Sequence, residues 1–456
     1  MNEQNKATLC AGWRMARVGD ILKVRNGYAF KSSDYKSEGV PLIRQSNLGD
    51  DIVEISKAKR VAARFLTELP GFIVRDGDLL IGMSGSLGKI ARYQYSEPAL
   101  QNQRTGLLVV RPDADARFAK MVLKYVESQI LAEGKGVAVQ NVSAKEIEDC
   151  SFPLPPIEEQ RQIVAEIEKQ FTRLETGMAA LKRVQANLKR YRAAVLKAAC
   201  EGRLAHTEAD LARMEGRTYE TGAQLLARIL TKRRRNWQGR GKDKEPAAPD
   251  STNLPHLPEG WTWACVEQLS AVVRGASPRP AGDPKYFGGE IPWITVGPLT
   301  TDKKPYLYAV PETVTEAGRE RSRYIEPETL LLTNSGATLG VPKITLIGGC
   351  INDGVAALLD VAYPLKLYLL YFLHTQTEQL RGVNQGAAQP NLNTTIIKAI
   401  NVPLPPLAEQ ERIVAEVERR LSVVEEQEAV VSANLQRATR LRQSILQRAF
   451  TGHLSP

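Results

Sequence analysis

The chain has 456 residues, 43% hydrophobic and 25% charged, with a formal net charge of +10. These proportions are ordinary for a globular protein, and the length suffices for two or three domains with full cores. The most apolar stretch, Val361 to Leu373, is interrupted by Lys366 and is too short to span a bilayer. The basic excess points towards polyanions such as nucleic acid.

The opening segment, MNEQNKATLC, lacks a signal-peptide hydrophobic region. Cys10, Cys150, Cys200, Cys265 and Cys350 are scattered, without a CxxC or paired histidines. That spacing argues against a disulfide framework and a zinc site, and the expected compartment is a reducing cytoplasm.

Residues 1–152 read as a mixed α/β domain. Apolar, strand-like runs PLIRQ (41–45), DLLIG (78–82) and GLLVVRP (106–112) alternate with loops, and a helix is expected over Ala116 to Ala132. GMSGSLGKI (82–90) superficially evokes a phosphate-binding loop. It has one residue too many between Gly82 and Gly88, and Ile90 stands where Ser or Thr would bind Mg²⁺. Asp113, Glu133 and Lys135 fit the loose PD…ExK pattern of metal-dependent nucleases. That pattern is common by chance, and Asp113 reads more simply as a turn before a helix.

Residues 153–205 and 403–456 carry a repeated segment. PLPPIEEQRQIVAEIE opens the first copy and PLPPLAEQERIVAEVE the second, and 19 of the 52 aligned positions of 153–204 and 403–454 are identical. Self-similarity at a fixed offset makes the chain two half-molecules in tandem. Ile167, Leu174, Leu181, Leu188 and Val195 recur every seven residues, with Phe171, Met178 and Tyr191 near the intervening positions. Val417, Val424, Val431, Ala438 and Ile445 repeat the stripe, helped by Leu421, Leu435 and Leu441. A sustained heptad predicts a coiled coil, and Gly202 and Gly452 are the expected C-caps. Two rods of roughly 70 Å, packed antiparallel, are expected to hold the globular blocks at opposite ends. Burial of both helices in one larger core is the alternative.

Residues 206–257 form a connector, with a helix expected over Ala223 to Trp237 and a Pro-rich extended stretch over 245–261. Its run TKRRRNWQGRGKDKE (231–245) is strongly basic, and the bland reading of such a run is a solvated segment. Residues 258–402 repeat the first domain loosely. VPLIRQSNL (40–48) aligns with IPWITVGPL (291–299), DLLIGMSG (78–85) with TLLLTNSG (329–336), Asn102 with Asn352, and Asn141 with Asn391. Loop chemistry differs on the shared frame: Arg44 faces Thr295, and Gly82-Met83 face Thr333-Asn334.

The doubled PLPPxxEQxxIVxExE opening, the G[RH]L helix exits and the connector TGAQLLARIL…RRRNW…EPAAPD (221–250) resemble the specificity subunit of type I restriction-modification systems. So do WRMARVGDILKVRNGYAFKSSDY (13–35) and LPEGWTWACVEQL (257–269). The resemblance covers nearly the whole chain. It implies an α+β fold in which two mixed α/β DNA-recognition domains are separated by two long helices. These form an antiparallel coiled coil with a pseudo-twofold internal repeat. It also implies reading of a split double-stranded DNA site, with a gap set by the helices. Two methyltransferase subunits and restriction/translocase subunits are the implied partners, without a membrane. No cofactor is expected on this chain, since S-adenosylmethionine, ATP and Mg²⁺ belong to those partners. The tandem order alone carries the symmetry and does not fix whether the chain ends meet.

No methyltransferase base-binding tetrapeptide or convincing nucleotide-binding turn occurs, so a non-catalytic recognition role is expected, with a nuclease or a structural or decoy protein as alternatives. Sequence reading needs hydrogen-bonding groups at base edges and cations at phosphates. The candidates in the first domain are Lys31, Ser32, Arg44, Ser84, Ser86, Lys89, Gln103, Arg104, Lys135 and Gln140. Those in the second are Arg279, Lys285, Thr295, Asn334, Ser335, Thr338, Lys343, Asn384, Gln385 and Gln389. Gly85 and Gly336 are assigned to turns.

Overall fold

The computed structural model describes residues 9–85, 87–133, 141–236, 245–250, 252–302, 304–336, 338–382 and 391–454. The chain divides into two compact units, residues 1–183 with 431–456, and residues 184–430.

In the first unit, β1 (Arg14–Arg17) pairs antiparallel with β11 (Ser151–Leu154), so the domain's opening strand closes on its last one. A four-stranded sheet has the order β2-β10-β7-β8, from Leu22–Asn26, Thr105–Val110, Leu79–Gly82 and Ile90–Arg92. A five-stranded sheet has the order β3-β5-β4-β9-β6, from Tyr35–Lys36, Lys59–Val61, Val40–Ile43, Ala99–Gln101 and Ile73–Val74. Ile43, Leu80, Ala91, Tyr93 and Leu107 share the core between these sheets.

The expected single helix over 116–132 is two, α1 (Ala116–Tyr125) and α2 (Glu127–Glu133). Asp115 accepts from the N–H groups of Arg117 and Phe118 and so caps α1. Another short helix, α3 (Ala144–Glu148), carries a Ser143/Glu146 capping box. Then α4 (Ile157–Cys200) begins.

The second unit repeats the plan. β12 (Thr262–Cys265) pairs with β22 (Asn401–Leu404) as β1 does with β11. The sheet β13-β21-β18-β19-β15 comprises Ala271–Arg274, Val355–Leu359, Thr329–Thr333, Pro342–Thr345 and Tyr306–Leu307. Its first four strands match β2-β10-β7-β8. The other sheet, β16-β14-β20-β17, comprises Thr313–Val314, Phe287–Ile294, Gly349–Ile351 and Arg323–Ile325. β14 and β20 are parallel, as are β4 and β9. The connector supplies α5 (Glu208–Glu215), which the sequence reading missed, and α6 (Gly222–Arg235). Helices α7 (Leu365–Gly382) and α8 (Thr394–Lys398) precede α9 (Leu407–Phe450).

Each long helix has 44 residues, about 66 Å, and contributes to both units. In the first unit Ile163, Ile167 and Phe171 of α4 share a core with Ile445, Leu446 and Phe450 of α9, and Arg442 pairs with Glu175 at 3.2 Å. In the second, Val195, Leu196 and Ala199 share a core with Ile413, Val417 and Leu421, and Arg192 reaches Glu425 and Glu428 at 3.5 and 3.4 Å. The start of one helix meets the end of the other, so the pair is antiparallel.

All five heptad residues of α9 are buried, but on α4 only Ile167 and Val195 are; Leu174, Leu181 and Leu188 are half-buried. Tyr191 and Leu441, expected to support the stripe, are exposed. They lie off the seam.

The repeated EQ pair has a local cause. Glu159 accepts from the Trp13 indole at 2.6 Å, and Glu409 from the Trp261 indole at 3.0 Å, fastening each domain's opening strand to its helix. Gln160 and Gln410 each donate to a preceding proline carbonyl, Pro155 and Pro405, at 2.9 Å. The helix C-caps Gly202 and Gly452 take φ of +67° and +74°, the left-handed region a glycine C-cap favours. Cys10, ahead of β1, also reaches the end of α9: its thiol lies 3.7 Å from the carbonyl oxygen of Thr451.

Candidate nucleic-acid interface

Backbone hydrogen bonds gather five separate segments at one end of each domain's sheets. In the first domain the Tyr28 N–H donates to Gln101 O, Gln103 N–H to Tyr28 O, and Asn102 N–H to Ile43 O, each at 3.0 Å. Met83 N–H reaches Arg104 O at 3.1 Å and Val142 N–H reaches Met83 O at 3.0 Å. In the second domain the Ala276 N–H reaches Ile351 O at 3.1 Å, Asn352 N–H Ile294 O at 3.1 Å, Asn334 N–H Gly354 O at 2.9 Å, and Leu392 N–H Asn334 O at 2.7 Å. Ser84 bridges Asn141 and Ser335 bridges Asn391. The two asparagine pairs noted in the sequence thus occupy matching places.

Close packing fixes the glycines of these ends. A Cβ on Gly27 would come within 2.2 Å of Asn102 O, and one on Gly275 within 2.2 Å of Asn352 O. Gly85 and Gly336 take φ of +71° and +78°, the turn role assigned to them.

The candidates separate on this frame. Lys31, Ser32, Gln103 and Arg104 are exposed on the gathered loops of the first domain. Arg44 is half-buried, with its guanidinium 6.0 Å from the Tyr35 ring centre. Lys89 pairs with the exposed Asp50 at 3.3 Å, a contact of the weak surface kind. Ser84 is 2% exposed, and among the described residues its hydroxyl has no partner.

In the second domain Arg279, Lys285 and Thr338 are exposed, and Thr295 and Ser335 are half-buried. Asn334 is fully buried, and among the described residues neither of its side-chain amide atoms is hydrogen-bonded. Lys343 parts from the group. It is 2% exposed within β19, and its ammonium lies 2.6 Å from Asp302. The hydrogen bond from Lys343 holds the Asp302 carboxyl below the usual range. Lys343 also lines a cavity of about 410 Å³ with Arg192, Tyr371 and His374. Burial, then the charges of Arg192 and Lys343, lower the His374 pKa to about 4.

Ser86, Lys135, Gln140, Asn384, Gln385 and Gln389 lie outside the described residues. So does Lys135 of the nuclease pattern, while Asp113 occupies the turn before α1. Among the described residues, no group of three or more His, Cys, Asp or Glu is arranged to hold a metal ion, and no helix is long and apolar enough to cross a membrane.

The structure adds two residues that the sequence reading passed over. The Gln45 side-chain amide lies against Gly85, 2.7 Å from where a Cβ would be. Glu312 lines a cavity together with Arg279. The first follows one residue after a candidate, but nothing local marked the second.

Two similar domains, each presenting loops of different chemistry from one shared frame, define a tandem recognition protein. The profile of the family described as "Type I restriction modification DNA specificity domain" matches residues 11–182 and 258–425. The chain belongs to this family. It is 27% identical to the type I restriction enzyme EcoBI specificity subunit of Escherichia coli, over 97% of this chain and 86% of that one. The StySPI specificity subunit of Salmonella potsdam is 22% identical, over 99% and 91%. A solved chain, from work titled "Structural basis underlying complex assembly and conformational transition of the type I R-M system", superposes with a TM-score of 0.67 at 19% identity. It covers 98% of this chain and all of that one, and the likeness shows the shared fold. Members of this family recognise DNA and leave catalysis to partner subunits.

Proposed function

We propose that this chain reads a bipartite, gapped site in double-stranded DNA, one half with each domain, for a type I restriction-modification complex. The observation that carries the reading is the repeated strand plan with divergent loop ends. A plain scaffold has no need of two different readers, and recognition is placed on loops held by rigid elements. In this reading Lys31, Arg44, Gln103 and Arg104 serve the first half-site, and Arg279, Lys285, Ser335 and Thr338 the second. The candidates outside the described residues join them on the sequence pattern alone.

Two methyltransferase subunits dock on α4 and α9, and restriction/translocase subunits join for cleavage. S-adenosylmethionine, ATP and Mg²⁺ act on those partners, in the cytoplasm. The helices set the gap: about 66 Å corresponds to roughly two turns of B-DNA at ~34 Å each. Domain limits of 1–152, 153–205, 206–257, 258–402 and 403–456 express the same reading. The limit at 152/153 falls inside β11, which pairs with β1 and leads into α4.

The test is single-molecule methylome sequencing of cells carrying this chain with and without its cognate methyltransferase subunit. Two short defined blocks around a fixed gap, methylated only when both are present, are expected. A soluble complex that adds no methylated motif would overturn the reading in favour of a structural or decoy protein.

A further inference from the structure

In the second domain, a cavity of about 580 Å³ opens beside the gathered loops, between the 277–282 segment and β14. Its floor is apolar: Trp293 is 4% exposed and meets the Phe287 ring edge-on at 6.0 Å. Asn352, at the loop cluster itself, lines the same cavity. Arg279 and Glu312, both exposed, line it too. Among the described residues neither side chain has an ion pair or hydrogen bond, so the two opposite charges share a cavity without meeting each other.

Both are held on fixed backbone. Ser277, two residues before Arg279, donates its hydroxyl to Asp353 at 2.5 Å and accepts from the Asp353 N–H at 3.3 Å. The Glu312 carbonyl accepts from the Trp293 N–H at 2.8 Å, beside the β14–β16 pairing. Register identifies the counterpart in the first domain. Val314 faces Ile291 and Thr313 faces Pro292, while Val61 faces Val40 and Arg60 faces Pro41. One residue further back, Glu312 therefore corresponds to Lys59, which is exposed. The sign of the charge at this place is reversed between the two domains.

We propose that Arg279 and Glu312 together read one G·C pair of the second half-site in the major groove. The inference rests on the DNA-recognition reading above. A phosphate offers acceptors only and calls for donors and cations, so the carboxylate of Glu312 would repel it. The major-groove edge of a G·C pair instead presents two acceptors, guanine O6 and N7, next to the cytosine N4 amino donor. A guanidinium fork donates to the first pair and a carboxylate accepts from the second. An A·T pair offers the fork only one purine acceptor and sets an amino group against it. Lys59 cannot accept from a base, so the first domain does not read a cytosine amino group from this place.

The test uses the complex with its methyltransferase partner. In the methylomes of R279A and E312A, one G·C position of the second block is expected to lose its base preference, while the first block and the gap stay unchanged. Binding of wild-type complex to duplexes carrying 7-deazaguanine at that position should weaken about tenfold or more, and R279A should no longer distinguish the modified base. This second arm needs no altered protein for its main result. A second block without G·C, or wild-type binding indifferent to 7-deazaguanine at every guanine of that block, overturns the proposal. So does an R279A complex weakened equally on all sequences with a shallower salt dependence, which marks a phosphate contact. A wild-type complex that methylates no gapped motif fails at the earlier step, the DNA-recognition reading itself.

Discussion

At the start of α4, Trp13 donates to a half-buried Glu159, whereas at the start of α9 the matching Trp261 donates to a fully buried Glu409. Glu409 also accepts the Glu208 N–H at 2.9 Å, at the first turn of α5. Glu208, 3% exposed, in turn receives Arg217 and Arg412 at 2.5 and 2.6 Å. The same sequence motif is therefore a simple strand-to-helix fastening in one unit and the centre of a buried ionic network in the other. The connector makes the difference, because α5 brings a second element to the second copy. Burial raises the Glu409 pKa; burial also opposes ionisation of Glu208, but its two arginine hydrogen bonds outweigh this and hold it below the usual range.

This contrast can be broken most forcefully at Glu409. E409A strands two buried donors and is expected to destabilise the second unit by about 3 kcal/mol, while E159A costs the first about 1 kcal/mol. Urea unfolding followed by fluorescence and calorimetry measures both; equal losses would mean that the connector adds nothing to this junction. Almost as large is the effect expected at Asp302. D302A leaves the buried Lys343 ammonium without its partner and should cost about 3 kcal/mol, whereas K343M, which removes the charge, should cost less. Neither should alter the methylated motif, since Lys343 lies within the sheet; a changed motif would return Lys343 to the reading surface.

Acid should separate the units further. The His374 pKa, about 4, is depressed from the ordinary 6.5. The unfolded chain therefore takes up a proton at a higher pH than the folded one does. The stability His374 contributes is complete above pH 6.5 and is lost as pH falls from there towards 4, on the order of 3 kcal/mol in all. Among the described residues of the first unit the one histidine, His453, is exposed. Calorimetry between pH 7 and 4.5 should show the second unit's transition falling faster, with H374N removing the excess; parallel slopes would refute this assignment. The smallest effects belong to single loop cations. R44A is expected to weaken binding to a specific duplex about fivefold, or ~1 kcal/mol, and K89A less, because Lys89 shares its charge with Asp50. Titrations that leave both affinities unchanged would remove these two residues from the interface.

Strand plan and helix placement were largely legible in the sequence. PLIRQ, DLLIG and GLLVVRP all contain strands, and the alignment of 40–48 with 291–299 matches the observed register of β4 and β14. The helix over 116–132 was legible but its break at Val126 was not, since apolar spacing continues through it. Short α5 leaves little trace in the sequence because its buried face is only Glu208, Ala209 and Ala212, with no large apolar side chain to mark a period. At the candidate site, Lys343 and Arg279 carry the same charge in the sequence. One belongs to a buried strand paired with Asp302 and the other to an exposed loop, a difference set by partners dozens of residues away.

By itself the sequence determined the duplication, the two long helices and their seven-residue repeat, because these depend on neighbours a few positions apart along one helix. It also determined that loop chemistry diverges between the copies. Tertiary structure alone decided which heptad residues of each helix are buried, that five segments from separate parts of each domain meet at one end, and that Glu312 and Arg279 line one cavity. Those arrangements follow from strand pairing and side-chain burial between residues distant in sequence, and no local pattern specifies them.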